Sequence, residues 1–259
     1  NVAMGYEALK GVVGSDNDRN VAIGAQALYA VDGAEYNVGI GYQALYDQTT
    51  ADSNVAIGYQ AGQNVTTGGS SVYIGDNAGR TITDAGANVM VGHQAGYPLG
   101  SSASSNVIVG ANAAVAGGAS TNNSVLIGKE SGYSTAGTSQ VGVGRQTLYF
   151  PEGNYNTAVG DQAMHGNSSV TTANSNVAMG RRSLFSIQSG YINVATGYQA
   201  GYSTTTGYSN VFLGNEAGYS NTTGAGNTLL GNQAGFSGST GNNTTFIGNA
   251  AGLKNTSND

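Results

Sequence analysis

Few residues in this chain are equipped for acid–base or metal chemistry. His93 and His165 are the only histidines, cysteine is absent, and 14 residues are acidic. A catalytic histidine needs a nucleophile or carboxylate within hydrogen-bond reach. His93 stands directly after a glycine, where neighbouring stretches carry Tyr42 or Tyr59, so it reads as a variable surface residue. His165 takes a place filled by Tyr or Phe elsewhere and reads as one member of an aromatic series. Asp16 and Asp18 share an irregular turn with Arg19, the pattern of a solvated loop. The pairs Gly39-Ile40-Gly41 and Gly142-Val143-Gly144 could approach a phosphate, but a nucleotide loop needs a helix opening behind it and no helix is predicted there. No calcium nonapeptide is present, and aspartates do not recur in register. Without cysteine there is no thiolate or disulfide chemistry. The sequons at Asn64, Asn221 and Asn243 follow from an Asn- and Thr-rich composition. The expectation is a chain that is not an enzyme and uses neither cofactor nor metal.

Composition narrows the classes further. Only 8% of residues are charged and 43 of 259 are glycine, against about 25% charged and roughly 7% Gly in ordinary globular chains. A net charge of −6 with 8 basic residues leaves no footprint for nucleic acid. No apolar run approaches the ~20 residues of a spanning helix, so no membrane insertion is expected in this segment. The chain opens on Asn1 in mid-phrase and reads as a fragment of a longer one.

What must position these residues is a repeat. Residues 54–62 read NVAIGYQAG and residues 193–201 read NVATGYQAG. Aligned on the glycine of NVAIG, the copies fall at Gly5, 24, 41, 58, 75, 92, 110, 128, 144, 160, 180, 197, 214, 231 and 248, with eight of the fourteen intervals equal to 17. A period near twenty residues marks a solenoid whose coils cannot bury a core alone. Three residues before the glycine stands Val or Thr, and one before it stands Ile, Val, Leu or Met, save for Thr196. This is strand periodicity, with β-branched residues suited to it. The sequence therefore predicts an all-β, parallel β-solenoid of about 15 coils, a single repeat domain over 1–259. The Val and Ile of each copy are expected inside, and the glycine is expected to bend a following strand back over the interior. Coils ~4.8 Å apart would set the first and last copies about 65–70 Å from each other.

Other positions recur too. Gln stands two after the glycine in eight copies and an aromatic five after it in nine, and both are expected to stack as ladders along the axis, with a ligand-binding amide or aromatic strip as the alternative. The residue between Val and Ile is expected to face outward, yet it is never charged. Tyr73, Met90, Ile108, Leu126, Phe212, Leu229 and Phe246 are its large members, predicted to lie at a subunit interface. Volumes agree: copies with Leu9, Leu28, Leu45, Leu148, Met164 or Leu184 four after the glycine have Ala or Gly between Val and Ile, and the large members are matched by Gly or Ala114. The two positions must share a packed space, within one chain or between chains. The copies of Ala56 and Ala195 are small at both.

The phrase N-V-A-I-G-x-x-A is similar to the head repeats of YadA-like trimeric adhesins, and the NVAIGYQAG variants followed by TTG resemble repeat arrays of tail-fibre-like proteins. The resemblance covers essentially the whole chain, with a coil longer than the adhesin's. It implies a left-handed β-roll, assembly as a homotrimer, an extracellular setting, and a fibre that attaches to a host envelope with glycan as the ligand class. Viral tail fibre is the leading reading, a bacterial autotransporter adhesin the alternative, and a structural or ice-binding filament the third, the last on aligned Thr50, Thr67, Thr206, Thr223 and Thr240. Left-handed hexapeptide acyltransferases also repeat [IV]-G-x-x-x-x, but need three consecutive hexads per coil where this chain has one. The sequence singles out no ligand-binding residue; irregular turns at 10–19, 97–105, 115–123 and 164–175 are where a ligand would be sought.

Overall fold

The computed structural model describes residues 1–11, 16–115, 121–134, 137–167 and 172–254. They belong to two compact units, Asn1–Lys129 and Glu130–Asp259. Both are β-solenoid, with one three-residue strand per coil and no helix among the described residues. The first unit holds β1 (Val2–Met4), β2 (Val21–Ile23), β3 (Val38–Ile40), β4 (Val55–Ile57), β5 (Val72–Ile74), β6 (Val89–Val91), β7 (Val107–Val109) and β8 (Val125–Ile127). The second holds β9 (Val141–Val143), β10 (Thr157–Val159), β11 (Val177–Met179), β12 (Val194–Thr196), β13 (Val211–Leu213), β14 (Thr228–Leu230) and β15 (Thr245–Ile247). Within each unit neighbours pair in chain order, parallel and in register with the repeat, so that Val21, Ala22 and Ile23 lie beside Val38, Gly39 and Ile40. The expected parallel β-solenoid is thus observed in each unit, with one strand to each copy of the phrase.

The strand ends at the glycine for two reasons. Its φ is +127° at Gly24 and +136° at Gly214, in the region L side chains avoid. A Cβ there would also lie 2.5 Å from the Gly41 carbonyl oxygen, or 2.4 Å from that of Gly231. Coils stack closely because nothing projects at this point. The expected second strand does not follow. Residues two and four beyond the glycine adopt positive φ, 58° at Gln26 and 51° at Leu28, and the chain turns tightly. The turn is nonetheless paired between coils: the Leu28 amide donates to the Ala44 carbonyl (3.0 Å) and the Ala30 amide to that of Tyr46 (3.1 Å). Backbone groups that a strand would have satisfied are satisfied by the coil above.

The interior reverses the predicted orientation. From β2 to β14 the middle residue of every strand is buried and its two neighbours are half-buried or exposed. Val and Ile therefore line the outside of the sheet. Tyr73, Met90, Ile108, Leu126 and Phe212 are wholly buried inside the single chain, and Leu229 is 4% exposed. Phe246, in the final strand, is half-buried. The six buried side chains are enclosed within the single chain rather than presented at the subunit interface that the sequence suggested; only Phe246 keeps part of its surface outside. Inside, they lie against the position four beyond the glycine, as Tyr73 does at Gly79 and Phe212 at Gly218. The interior of a seventeen-residue coil is narrow, which is why Ala recurs and why each large side chain demands a small one.

The Tyr73 and Phe212 coils explain the two copies that are small at both places. The Tyr73 ring reaches back a coil, so that a Cβ on Gly62 would sit 2.8 Å from its Cδ2 and 3.0 Å from Leu45 Cδ2. The Phe212 ring does the same over Gly201, where a Cβ would be 2.6 Å from Phe212 Cδ2 and 2.9 Å from Leu184 Cδ2. The apparent vacancy in the Ala56 and Ala195 coils is filled by the next coil's aromatic and the previous coil's leucine.

Candidate functional site

The repeat lays out its side chains as columns, each a possible surface. The Asn that opens most copies forms a buried column. Asn37, Asn54, Asn193 and Asn210 are fully buried. Asn193 Oδ1 accepts the Asn210 amide (3.0 Å), while its Nδ2 donates to the Gly207 carbonyl (2.9 Å) and to Asn176 Oδ1 (3.0 Å). The amide closes the coil and joins it to its neighbours, satisfying backbone groups that the interior would otherwise strand. This column is structural.

The Gln column is directional. Gln26 donates to Glu7 (3.2 Å), Gln43 to Gln26 (3.0 Å) and Gln60 to Gln43 (2.8 Å). In the second unit Gln146 donates to Glu130 (2.8 Å), Gln162 to Gln146 (2.9 Å), and Arg182 Nε to Gln162 (2.8 Å). Each run starts on a carboxylate, which can only accept, and this second run finishes on a guanidinium, which can only donate. Glu7 is held below the usual carboxylate range by hydrogen bonds from Lys10 and then Gln26. The expected amide ladder is present, with its acidic members as terminators.

Aromatic residues stack as the sequence predicted. Tyr29 lies on Tyr46 at 4.9 Å between centroids. A longer series runs Tyr133, Tyr149, His165, Phe185, Tyr202, Tyr219 and Phe236, with successive spacings of 4.8, 4.8, 5.0, 5.1, 5.0 and 5.0 Å. His165 is thus a ring among rings. Burial pushes its pKa below the usual histidine value, against the effect of the Gly166 carbonyl 2.8 Å from Nδ1, with Arg145 and Arg182 reinforcing the drop. Its neighbours offer no nucleophile, and both ring faces are occupied. His93 is exposed, in the place expected for it. Among the described residues no group of three His, Cys, Asp or Glu side chains converges on a metal position.

Charge collects in one place in the second unit. Asp161 lies between Arg145 (2.8 Å) and Arg181 (3.6 Å), with the Arg181 guanidinium 5.7 Å from the Tyr198 ring. These groups are half-exposed and neutralise one another in part, so they tie coils together at the surface and contribute little each.

Among the described residues the irregular turns carry no assembled site. In 97–105, Leu99 and Ala103 are buried and anchor the turn to the core. In 10–19, Arg19 pairs with Glu35 at 2.8 Å and Asn17 accepts the Gly33 amide at 2.6 Å; residues 12–15 lie outside the described residues. The same holds for 116–120 within 115–123 and for 168–171 within 164–175. The Thr rank is exposed at Thr50 and Thr67 and at Thr206, Thr223 and Thr240, but Gly33 and Asp84 bound it in the first unit. Sequence reasoning missed a core column, seven beyond the glycine, where Val31, Val65, Ile82, Leu99 and Ile187 are buried within what reads as turn.

The remaining surface is the outer face of the strands. Ile57 is 38% exposed, Val107 36% and Leu230 41%, and no charged residue stands in either outer column of β1 to β15. Within each unit this is a continuous strip of Val, Ile, Leu, Met and Thr. Compared with protein-family models, curated proteins and solved structures, the chain matches none.

Proposed function

We propose that this chain is an adhesive or structural segment of an extracellular fibre, assembled as a homotrimer through the outer Val and Ile face of its strands. The observation that carries the reading is that face. A soluble monomer rarely exposes contiguous apolar surface beyond a few hundred Å², and here every coil adds a Val or Thr and, except at Thr196, an apolar neighbour to the strip. A parallel ladder of β-branched side chains is suited to packing against another copy of itself, as sheets do face to face. The resemblance to trimeric adhesin heads and tail-fibre repeats supports three copies and an external setting. A viral tail fibre reaching a host envelope, with glycan as the ligand class, is the reading we adopt.

The interface so proposed differs from the one the sequence suggested. Phe212→Asp would place a carboxylate inside the coil and unfold it locally, and so does not test assembly. The paired change Val89→Lys and Val107→Lys leaves the interior untouched. Light scattering of the wild type at micromolar concentration should give three times the chain mass, and the double variant should give one, with an unchanged far-ultraviolet circular dichroism spectrum. A monodisperse monomer for the wild type would refute the trimer.

A further inference from the structure

One aromatic column is interrupted in a way that makes a place for a ligand. Tyr191 and Tyr208 stack in consecutive coils, 4.9 Å between centroids and 1° from parallel. The next coil carries Ala225 and Gly226 at the corresponding places, and the coil beyond carries Asn242 and Asn243. Tyr191 covers one face of the Tyr208 ring, and no aromatic partner covers the other. The result is a groove of about 510 Å³ lined by Tyr208, Ser209, Thr223, Ala225, Gly226 and the two asparagines. It lies within the size range of small-molecule sites.

Its polar groups are set for a ligand. Asn242 Oδ1 accepts the Ala225 amide at 2.7 Å, which fixes the side chain, and among the described residues its Nδ2 donates to no other group. Asn243 Oδ1 lies over Gly226, where a Cβ would come within 2.5 Å of it, so only glycine leaves room for that amide. Among the described residues the hydroxyls of Ser209 and Thr223 form no hydrogen bond, and both residues are exposed. Two coils separate Tyr208 from Asn242, about 10 Å at the usual strand spacing. That gap accepts one flat-faced ring of saturated carbon in contact with the tyrosine, with its hydroxyls toward the amides.

We infer that this groove binds a single pyranose of an uncharged glycan, its C–H face on Tyr208 and its hydroxyls on Asn242, Asn243, Ser209 and Thr223. An aromatic face with an apolar centre and a wet edge suits a sugar, which has an apolar face and a polar rim. No charged side chain lines the groove, so a sulfated or carboxylated sugar gains nothing there. The inference rests on the reading of the chain as a glycan-attaching fibre and gives that reading a location, away from the irregular turns.

The test is saturation-transfer NMR on the intact chain with the methyl pyranosides of glucose, galactose, mannose and N-acetylglucosamine, at an expected affinity on the order of 1 mM. One of them should receive saturation on the protons of one ring face. Ala225→Tyr continues the tyrosine stack into the gap, so it should preserve the fold and reduce the signal about tenfold or more, and Tyr208→Ala should do likewise. No transfer to any of these sugars in the wild type overturns the site. So does equal transfer in Ala225→Tyr. A glycan array distinguishes this from failure of the attachment reading: binding by the wild type and equally by Ala225→Tyr keeps that reading and removes the groove from it.

Discussion

The packing of Phe212 against Gly201 yields a cycle of substitutions whose outcome the structure dictates. Gly201 has φ +61°, and Leu184 holds φ +46° at the same place one coil earlier, so a side chain can occupy this conformation at a cost of about 1–2 kcal/mol. The methyl of Gly201→Ala would fall 2.6 Å from Phe212 Cδ2 in a filled interior, adding about 1–3 kcal/mol of overpacking. The single substitution should therefore cost ~2–5 kcal/mol. Phe212→Ala removes a wholly buried ring and should cost ~3–5 kcal/mol. Combined, they should cost less than their sum by about 1–3 kcal/mol, because the methyl then occupies space the ring has left. Solenoids open locally, so the assay is amide hydrogen exchange over β12 and β13. If Gly201→Ala costs the same with Phe or Ala at 212, the ring does not overhang the preceding coil and the account of the small-at-both coils is wrong.

Two further predictions concern single side chains. The Tyr73 hydroxyl is buried beside Ser71 and Asn88 without a well-formed hydrogen bond, and burial pushes its pKa up; Tyr73→Phe should stabilise the chain by ~1 kcal/mol, read as a higher thermal midpoint. His165 has its pKa lowered from the ordinary 6.5 by burial in the ring stack. The unfolded chain therefore binds the proton more readily than the folded one. Stability should fall as pH drops through 6.5 toward the lowered native value and return as pH rises. Denaturation midpoints measured across that window should show the slope, and His165→Phe should remove it.

Much of the fold was legible because the glycine and its neighbours recur with so little change. The inside and outside of the strand were not, and the reason is physical. Alternation distinguishes faces when one is polar, whereas here Val and Ile lie on one side and Ala, Leu, Tyr or Phe on the other. The informative signal was variety in volume. A position that ranges from Gly39 to Tyr73, with compensation elsewhere, is a jigsaw interior, while a near-constant Val-x-Ile is a uniform outer ladder. The core column at Val31, Val65 and Ile82 was hidden by its polar members Gln48, Thr204 and Asn221, all buried. The groove at Tyr208 was hidden for a different reason: it is made by small residues, Ala225 and Gly226, where a series stops.

The overhanging rings also impose an order on the coils. A coil bearing Tyr73 or Phe212 follows one that ends its packing on Gly62 or Gly201, and those coils in turn follow Leu45 or Leu184. Loss of the Ala56 coil by unequal recombination would set Tyr73 directly above Leu45, in space that leucine already reaches. Loss of the coil containing Leu45 would instead bring Leu28 beneath Ala56 and keep the sequence of leucine, glycine and overhanging ring as it was. Coils of this chain are therefore not freely exchangeable units: they combine by a nearest-neighbour syntax, and the lengths open to its descendants are those reached by adding or dropping whole permitted phrases.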